Sequence, residues 1–371
     1  MPTRLSDADL RRRRLRSQRL AGAQAASGPE VVRAAGGLQA QDTKAARLAV
    51  RPRSTGPTAA TVRAACNDDR SVVRTWVMRG TLHMVASEDV GWLVGLLGPV
   101  FAAGGAGRRR QLGLDDDTCE RGLAAIREVL AAGEPLTRPE LIRRIAAEGV
   151  MLDPRSQAPA HLVVHAARMG LVCRGPDLAG DQPTYVAVAD WVGERPALEP
   201  DAALAELARR HLGAYGPVDA DDFAAWSGLG VGRARRGFEL IADELDEVLA
   251  GERPAWVLAA AAAEPADPDR PQVRLLGHFD PYLLGYRSRD LVLDRRFARR
   301  IQAGGGFIQP AVLVDGRVAG TWRQQRGRDR LTVAVEPFEP LDEAVIPGLE
   351  AEVADLGRFL DTDAVLAVER G

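Results

Sequence analysis

The sequence repeats one order of predicted elements: helix, helix, then a pair of strands. The clearest copy begins at Thr137, which can cap a helix with Pro139 and Glu140 in its first turn and Gly149 at its end. "APAHLVVHAARMG" predicts a second helix, and "LVCRG" and "TYVAV" predict two short strands. Two helices that lead into a two-stranded wing form the winged-helix version of helix-turn-helix.

Two other segments follow the same order. One runs from "ALAELARRHLGAYG", with Asp219 as a helix cap, to the strand "PAWVLAA", and a looser one runs from about Asp7 to Met84. Beyond about residue 260 the character of the chain changes: in the segment 306–338 apolar and polar residues alternate, with hairpin turns at Asp315-Gly316 and "QRGRD", which predicts β-structure. We therefore predict an α+β protein with three tandem winged-helix modules and a C-terminal β-element. The predicted modules are residues 1–110, residues 111–200, and residues 201–371, the last including the β-hairpin region.

The charge is distributed unevenly along the chain. The formal net charge is only -2, yet residues 1–110 hold 19 Lys/Arg against 8 Asp/Glu. Residues 281–330 hold 11 against 4, whereas residues 331–371 hold 2 against 10. Two basic segments can form a positive groove, which is typical of nucleic-acid binding. The alternative, solvated arginine-rich helix faces, stays open on charge alone.

Several classes of function are disfavoured. No run of about 18 apolar residues occurs, and the N-terminus is charged where a secretory signal is apolar, so we expect a cytoplasmic protein with no membrane partner. Cys66, Cys119 and Cys173 lack CxxC spacing and should be buried free thiols. His161 and His165 share a helix face without a third ligand nearby. We expect no metal site and no cofactor.

The stretch "GGLQAQD" places Gln39 and Gln41 two residues apart behind Gly36 and Gly37. The glycines favour a non-helical segment, in which residues i and i+2 share a face. An amide is not a base near neutral pH, but it can orient a water molecule through its carbonyl oxygen and donate through its nitrogen. Taken alone, the two glutamines can equally be exposed residues of an alanine-rich segment.

Three strings in the same order, "LQAQD", "RTWVMRGTLHMVASEDVGWL" and "LLGHFDPYLLGYRSRD", span about 250 residues. Together they resemble the AlkZ and YcaQ family of bacterial winged-helix DNA glycosylases. The resemblance implies that Gln39 and Gln41 are catalytic. YcaQ-like members pair a glutamine with a carboxylate, so the amide at position 41 places this chain with the AlkZ-type branch.

The resemblance also implies a reaction and a partner. It implies a monofunctional enzyme that hydrolyses the N-glycosidic bond of N7-alkylguanine in double-stranded DNA, in DNA repair or antibiotic self-resistance. Bulky natural-product adducts are the implied substrates, and interstrand crosslinks are left open. N7-alkylated guanine is a cationic leaving group, which suits a weak amide catalyst. The alternative is a non-catalytic winged-helix regulator or a drug-sequestering resistance protein; in both cases we expect a monomer.

Several residues in or beside the three quoted stretches each have two interpretations. Asp42 can support catalysis or, as we favour, cap the helix that follows, and Lys44 is better suited to a phosphate contact than to a Schiff base. Asp280 can support the catalytic loop or cap a strand end, and His278 lies beside it in "GHFD". We expect Trp322 to be a core residue.

Arginines are expected to contact DNA in two places. The predicted hairpin "WRQQRGRDR" carries four of them at its tip, shaped to enter a groove: Arg323, Arg326, Arg328 and Arg330. The run from Arg11 to Arg16 lies on a predicted helix, where it can neutralise phosphates or form a solvated face.

Overall fold

The computed structural model describes residues 2–193, 197–261, 270–304 and 306–369. Its α-helices are α1 (Asp7–Ser17), α2 (Gly28–Ala34), α3 (Thr43–Leu48), α4 (Ala59–Asn67), α5 (Val90–Gly104), α6 (Ala106–Gln111), α7 (Asp116–Leu130), α8 (Arg138–Ala147), α9 (Ala158–Arg168), α10 (Val188–Val192), α11 (Pro200–Tyr215), α12 (Ala220–Ser227), α13 (Val231–Glu239), α14 (Pro281–Leu284), α15 (Ala298–Ile301) and α16 (Ile346–Leu360).

The strands are distributed along the whole described chain. They are β1 (Thr3–Leu5), β2 (Leu38–Gln39), β3 (Val72–Trp76), β4 (Leu82–Ala86), β5 (Leu136–Thr137), β6 (Val172–Arg174), β7 (Thr184–Ala187), β8 (Leu245–Ala250), β9 (Arg253–Leu258), β10 (Val273–Leu276), β11 (Gln302–Gly304), β12 (Phe307–Ile308), β13 (Ala311–Val314), β14 (Arg317–Arg326), β15 (Leu331–Pro337) and β16 (Ala364–Val368). The predicted α+β class is confirmed.

The chain forms two compact units. Unit 1 comprises Met1–Val62, Ala205–Trp226 and Gly230–Gly371, and unit 2 comprises Arg63–Leu204 and Ser227–Leu229. Unit 1 is therefore assembled from three stretches that are far apart in sequence. The division into three winged-helix modules stays a prediction.

Unit 2 contains the clearest helix, helix, strand-pair segment. The side chains of Thr137 and Glu140 form a capping box at the start of α8, because Thr137 donates from its backbone nitrogen to Glu140 at 2.8 Å. Helix α9 follows, and then β6 and β7 pair antiparallel. Within this unit the strand order is β4-β3-β6-β7-β5. The helices and strands predicted for this segment are confirmed.

A five-stranded sheet in the order β10-β13-β14-β15-β16 dominates the C-terminal part of unit 1. Asp315 and Gly316 join β13 to β14 with φ values of 48° and 75°, the left-handed conformations that a tight hairpin turn requires. Trp322 lies in the core, where its indole nitrogen donates to the Leu276 carbonyl oxygen at 2.7 Å. The predicted hairpin turns and the core position of Trp322 are confirmed.

The part of the chain beyond residue 260 that the structure describes also contains helices, of which α16 is the longest. Leu349, Val353 and Leu356 recur at helical spacing and are buried against the sheet. This segment is acidic, and the periodicity of its apolar residues decides its structure. Two of the acidic residues of α16, Glu352 and Asp355, pair with the buried Arg51, so the acidity of the segment does not require a solvated face.

His211 is a buried group that should make stability depend on pH. Burial among Tyr215, Phe223 and Trp226 lowers the pKa of His211 from 6.5 to about 3. Since the folded pKa is the lower one, the unfolded chain takes up a proton first, and stability is lost as pH falls from 6.5 towards 3. Each pH unit in this window should cost about 1.4 kcal/mol per such group. In urea unfolding at several pH values, the free energy of unfolding of His211→Phe should fall less steeply with decreasing pH than that of the parent protein. Equal slopes for the two proteins would contradict this assignment.

Candidate active site

Two glycines end α2 and direct the chain into the glutamine stretch. Gly36 and Gly37 have φ values of 65° and 106°, and their nitrogens donate back to the carbonyl oxygens of Arg33 and Val32. A Cβ atom on Gly36 would lie 3.1 Å from the Trp226 ring, so a larger residue would strain both backbone and packing. The chain therefore leaves the helix abruptly and enters β2.

Gln39 and Gln41 alternate with the buried residues Leu38 and Ala40. The Gln39 amide nitrogen (Nε2) donates to the Gln41 carbonyl oxygen (Oε1) at 2.8 Å. The prediction that both amides share a face is confirmed. Because the Gln41 oxygen accepts this bond, its own amide nitrogen is presented as a donor. Gln41 is exposed and Gln39 is half-buried.

Asp42 and Lys44 flank the pair on its C-terminal side. Asp42 caps α3, since its Oδ1 accepts from the backbone nitrogens of Lys44 and Ala45, each at 2.9 Å. The predicted capping role is confirmed. The Lys44 side chain is exposed and lacks the desolvation that activates an amine nucleophile.

Two buried arginines anchor the turn that follows α3. Arg51 is fully buried and pairs with Glu352 at 2.7 Å and Asp355 at 2.8 Å, both on α16. Burial lowers the pKa of Arg51, but the two carboxylates outweigh it and raise the pKa above its usual value. The sequence analysis missed these positions, whose only signal is arginine in the short apolar context "LAVRPRS".

The second arginine of this turn binds the "GHFD" loop. Arg53 holds both oxygens of Asp280, at 2.7 and 2.9 Å, and it also donates to Gln18 at 2.9 Å. Asp280 is fully buried and caps α14 by accepting from the Tyr282 nitrogen at 2.9 Å. The residue is thus a helix cap and also a partner of the segment that follows the glutamines. Its contribution to catalysis stays a prediction.

His278 contacts the short hairpin β11–β12. Its Nδ1 lies 3.1 Å from the Ile308 carbonyl oxygen, and its ring meets the Phe307 ring edge-on at 5.1 Å. The neighbouring Gly277 packs on α3, since a Cβ there would lie 3.1 Å from the Leu48 side chain. The loop that holds His278 and the helix that follows Gln41 are therefore in contact.

The predicted arginine hairpin is present as β14 and β15. Arg326 ends β14, and Arg328 and Arg330 lie in the turn, where all three are exposed. Arg323 forms an ion pair with Glu369, which leaves its guanidinium partly neutralised. DNA binding by these arginines stays a prediction.

The described residues include neither a metal-binding cluster nor a membrane-spanning helix. Within residues 2–193, 197–261, 270–304 and 306–369, no group of three or more His, Cys, Asp or Glu side chains could hold a metal ion. No helix in this described part is long and apolar enough to cross a membrane. Cys66, Cys119 and Cys173 are buried free thiols, as predicted.

Comparison with known proteins gives consistent matches over nearly the whole chain. A family model described as DNA glycosylase AlkZ-like matches residues 32–359. A Streptomyces sahachiroi protein named interstrand DNA cross-link repair glycosylase is 31% identical over 345 residues, covering 90% of each chain. The solved structure of Streptomyces sahachiroi DNA glycosylase AlkZ has a TM-score of 0.84 and 28% identity, over 99% of this chain and 100% of that one. The match to the family model includes both glutamines and the arginine hairpin.

Proposed function

Because this chain belongs to the AlkZ-like DNA glycosylase family, we propose that it hydrolyses the N-glycosidic bond of N7-alkylguanine in double-stranded DNA. The protein is a DNA glycosylase, and we propose that it is monofunctional and leaves an abasic site. The observation that carries the proposal is the hydrogen-bonded pair of Gln39 and Gln41, held on one face of a non-helical segment.

The pair suits a cationic leaving group. In N7-alkylguanine the base departs through an oxocarbenium-like state without a strong acid, so positioning and hydrogen bonding suffice. In the proposed mechanism the Gln39 carbonyl oxygen orients the attacking water. The Gln41 amide nitrogen donates a hydrogen bond to the departing base or to the DNA backbone. The bond between them fixes both amide planes before substrate binds.

The neighbouring residues have proposed supporting roles. Asp42 fixes the start of α3 beside Gln41, and Asp280 holds Arg53 in the turn that follows this helix. His278 supports the same region through the β11–β12 hairpin. Lys44, which is exposed beside the pair, would contact a DNA phosphate.

The finer architecture and biology also belong to this proposal. We propose that three tandem winged-helix modules wrap a DNA duplex and that the enzyme acts as a cytoplasmic monomer without a cofactor. Bulky natural-product adducts are the proposed substrates, with interstrand crosslinks as a second class. A role in antibiotic self-resistance follows from those substrates.

Incubation with a duplex that carries one defined N7-alkylguanine tests the function. Released modified base and alkali-labile sites are expected in proportion to turnover. The alternative is a DNA-binding regulator or drug-sequestering protein, which would bind the same duplex without releasing base. A crosslinked duplex in a parallel reaction tests the second substrate class.

Arg326→Ala with Arg328→Ala should weaken duplex binding and make it less dependent on salt. Each lost phosphate contact reduces the slope of log affinity against log salt by about 1. Fluorescence anisotropy over a range of salt concentrations measures the slope. Arg323→Ala is the matched control, because this arginine is paired with Glu369 and should contribute less. Equal slopes for parent and double variant would remove the hairpin tip from the interface.

Removal of divalent metals should leave base excision unchanged, because the proposed chemistry uses amides and water only. Excision is measured in EDTA and then with added magnesium or zinc. Activity that is lost in EDTA and restored by one ion would contradict the proposed mechanism.

A further inference from the structure

Five basic side chains of unit 2 gather where α5 ends and where α6 meets α9. Three are arginines and two are histidines, and together we call them the basic cluster: Arg108, Arg109, His161, His165 and Arg168. His161, His165 and Arg168 follow one another along one face of α9. The two histidines that share a helix face in the sequence therefore belong to a cationic group, and their charged neighbours are arginines.

Arg109 and Arg168 converge on the end of α5. The Arg168 Nη1 donates to the Phe101 carbonyl oxygen at 3.0 Å, and the Arg109 Nη1 donates to the Ala102 carbonyl oxygen at 2.8 Å. A Cβ atom on Gly105 would lie 3.0 Å from the Nη1 atom of each arginine, so the two guanidinium groups are neighbours. Arg109 is buried and Arg168 is half-buried. Two positive charges are therefore held side by side, largely away from solvent.

The end of α5 accounts for only part of this charge. The carbonyl groups at a helix C-terminus carry about half an elementary negative charge, whereas Arg108, Arg109 and Arg168 each carry a full positive one. No carboxylate in the described part of the chain forms an ion pair with any of these three arginines. Burial, followed by the charge of Arg109, lowers the pKa of Arg168. Among the described residues, the positive charge of the basic cluster is thus not balanced.

The two histidines respond to the same excess of positive charge. Burial, followed by the charges of Arg109 and Arg168, lowers the pKa of His165 from 6.5 to about 4. Burial and the arginines of the cluster lower the pKa of His161. His165 is only 9% exposed, yet its Nδ1 has no hydrogen-bond partner among the described residues, and neither has the buried Nε of Arg168. Because buried polar atoms are nearly always paired, the described groups leave the cluster incomplete.

The basic cluster is open to solvent on one side. Arg108 is exposed, and its guanidinium donates to the side-chain oxygen of Gln157 at 2.8 Å. Gly104 and Gly107 are exposed too, and a Cβ atom on either would meet nothing within 4 Å. No side chain at these two positions covers the approach to Arg108 and the half-buried His161.

We propose that the basic cluster binds a phosphate group, which contacts Arg108 and His161 and is attracted by the charges of Arg109 and Arg168 beneath them. The planar fork of arginine matches the geometry of phosphate oxygens. Salt screens partly buried charges less than exposed ones, so their attraction persists at physiological ionic strength. The phosphate can come from the backbone of DNA, on which this family acts, or from inorganic phosphate, since both present the same oxygens.

A bound phosphate should raise the pKa of His161, because an anion beside an imidazole favours its protonated form. NMR of the parent protein during a pH titration measures this pKa, and we expect it to rise by about 1 when inorganic phosphate is present. The pKa of His165 should change in the same direction. Sodium chloride at equal ionic strength is the control for screening, and His211 in unit 1 should not respond. His161→Gln and His165→Gln assign the two resonances.

The second measurement uses Arg108→Gln, which removes the exposed charge of the cluster but keeps a polar side chain. If the bound group is a DNA phosphate, this variant should bind duplex DNA more weakly and reduce the slope of log affinity against log salt by about 1. The matched control is Arg121→Gln on α7, which removes the same charge from unit 2 where the arginine is paired with Asp117. Circular dichroism and thermal unfolding check that each variant is folded.

The two measurements distinguish the sources of the phosphate. A reduced salt slope for Arg108→Gln would assign the site to the DNA backbone. A response of His161 to phosphate together with a parent-like slope would assign it to inorganic phosphate, and both results support the inference. It is overturned if phosphate changes neither histidine more than sodium chloride does and Arg108→Gln keeps the parent slope.

This inference rests on the proposed function only where DNA supplies the phosphate. Failure of the proposed function looks different, because the parent protein would then release no base from a duplex that carries N7-alkylguanine. The response of the histidines to inorganic phosphate needs no DNA and would persist.

Discussion

Replacing Gln39 or Gln41 with alanine is expected to slow base excision by about 10² to 10³ while leaving duplex affinity nearly unchanged. The loss of one preorganised positioning group commonly has this magnitude. The two amides are hydrogen-bonded to each other at 2.8 Å and serve one transition state. The excision rate of the double variant should therefore fall by a smaller factor than the product of the factors for the two single variants. Single-turnover release of an N7-alkylguanine measures the rates, with thermal unfolding as the check on folding.

The different roles of the two amides give a sharper contrast. A carboxylate in Gln41→Glu can still accept from the Gln39 amide but cannot donate to the departing base, whereas one in Gln39→Glu keeps an acceptor for the water and can accept from the Gln41 amide once that amide turns over. Gln39→Glu should therefore retain more activity than Gln41→Glu. Gln111→Ala, at an exposed glutamine that accepts from Arg108, is a control that should not affect the rate. Parent-like excision by the double alanine variant would favour the non-catalytic alternative.

Uncharged guanine provides a further contrast. Gln41→Asp would introduce a base beside the proposed water, but neutral guanine should still resist excision because its leaving group remains poor. The positive charge of the alkylated base already activates its glycosidic bond, so the protein does not have to supply this activation. Release of unmodified guanine by Gln41→Asp would show that water activation, and not the leaving group, limits the reaction.

Asp280→Ala is expected to lower the free energy of unfolding by about 3 to 5 kcal/mol, because it leaves the buried Arg53 guanidinium without its counter-charge. The same substitution removes the cap of α14. Asp280→Asn separates the two effects, since an asparagine oxygen can still accept from the Tyr282 nitrogen. Chemical denaturation gives the free energies.

The control for this prediction is an exposed ion pair. Asp117 and Arg121 on α7 have side chains that are 77% and 55% exposed, so Asp117→Ala should change stability by less than about 1 kcal/mol. A double variant, Asp280→Asn with Arg53→Met, should lose less free energy of unfolding than the sum of the losses in the two single variants, because no uncompensated charge is left buried. If the losses of the two single variants simply add up in the double variant, Asp280 and Arg53 are not energetically coupled.

Local signals in the sequence were sufficient for the elements that local chemistry determines. The capping box at Thr137, the turn at Asp315-Gly316 and the glycines before Gln39 each act within a few residues, so their structures follow from their neighbours. The catalytic assignment of the glutamines came from the resemblance, because two amides in an alanine-rich segment carry no chemical signature of their own. The family match covers both glutamines.

The features that escaped the sequence analysis depend on distant partners. Arg51 is a buried anchor only because Glu352 and Asp355 reach it across about 300 residues of chain. The run from Arg11 to Arg16 is basic on every face of α1, so its periodicity cannot tell that Arg13 and Arg14 are the buried ones. Helix α16 is different, since its apolar spacing was visible in a segment noted mainly for its acidity.

The discontinuous construction of unit 1 has a consequence for how the enzyme is made in the cell. Both glutamines leave the ribosome early, but the Arg51 anchor waits for a carboxylate 301 residues later. At about 5 to 20 residues per second, this interval is roughly 15 to 60 s of synthesis. During that time the turn after α3 lacks its anchor on α16, and the candidate active site is incomplete. Newly made enzyme should therefore become competent for repair only after translation of its C-terminal helix, and damage that stalls gene expression would delay the repair activity itself.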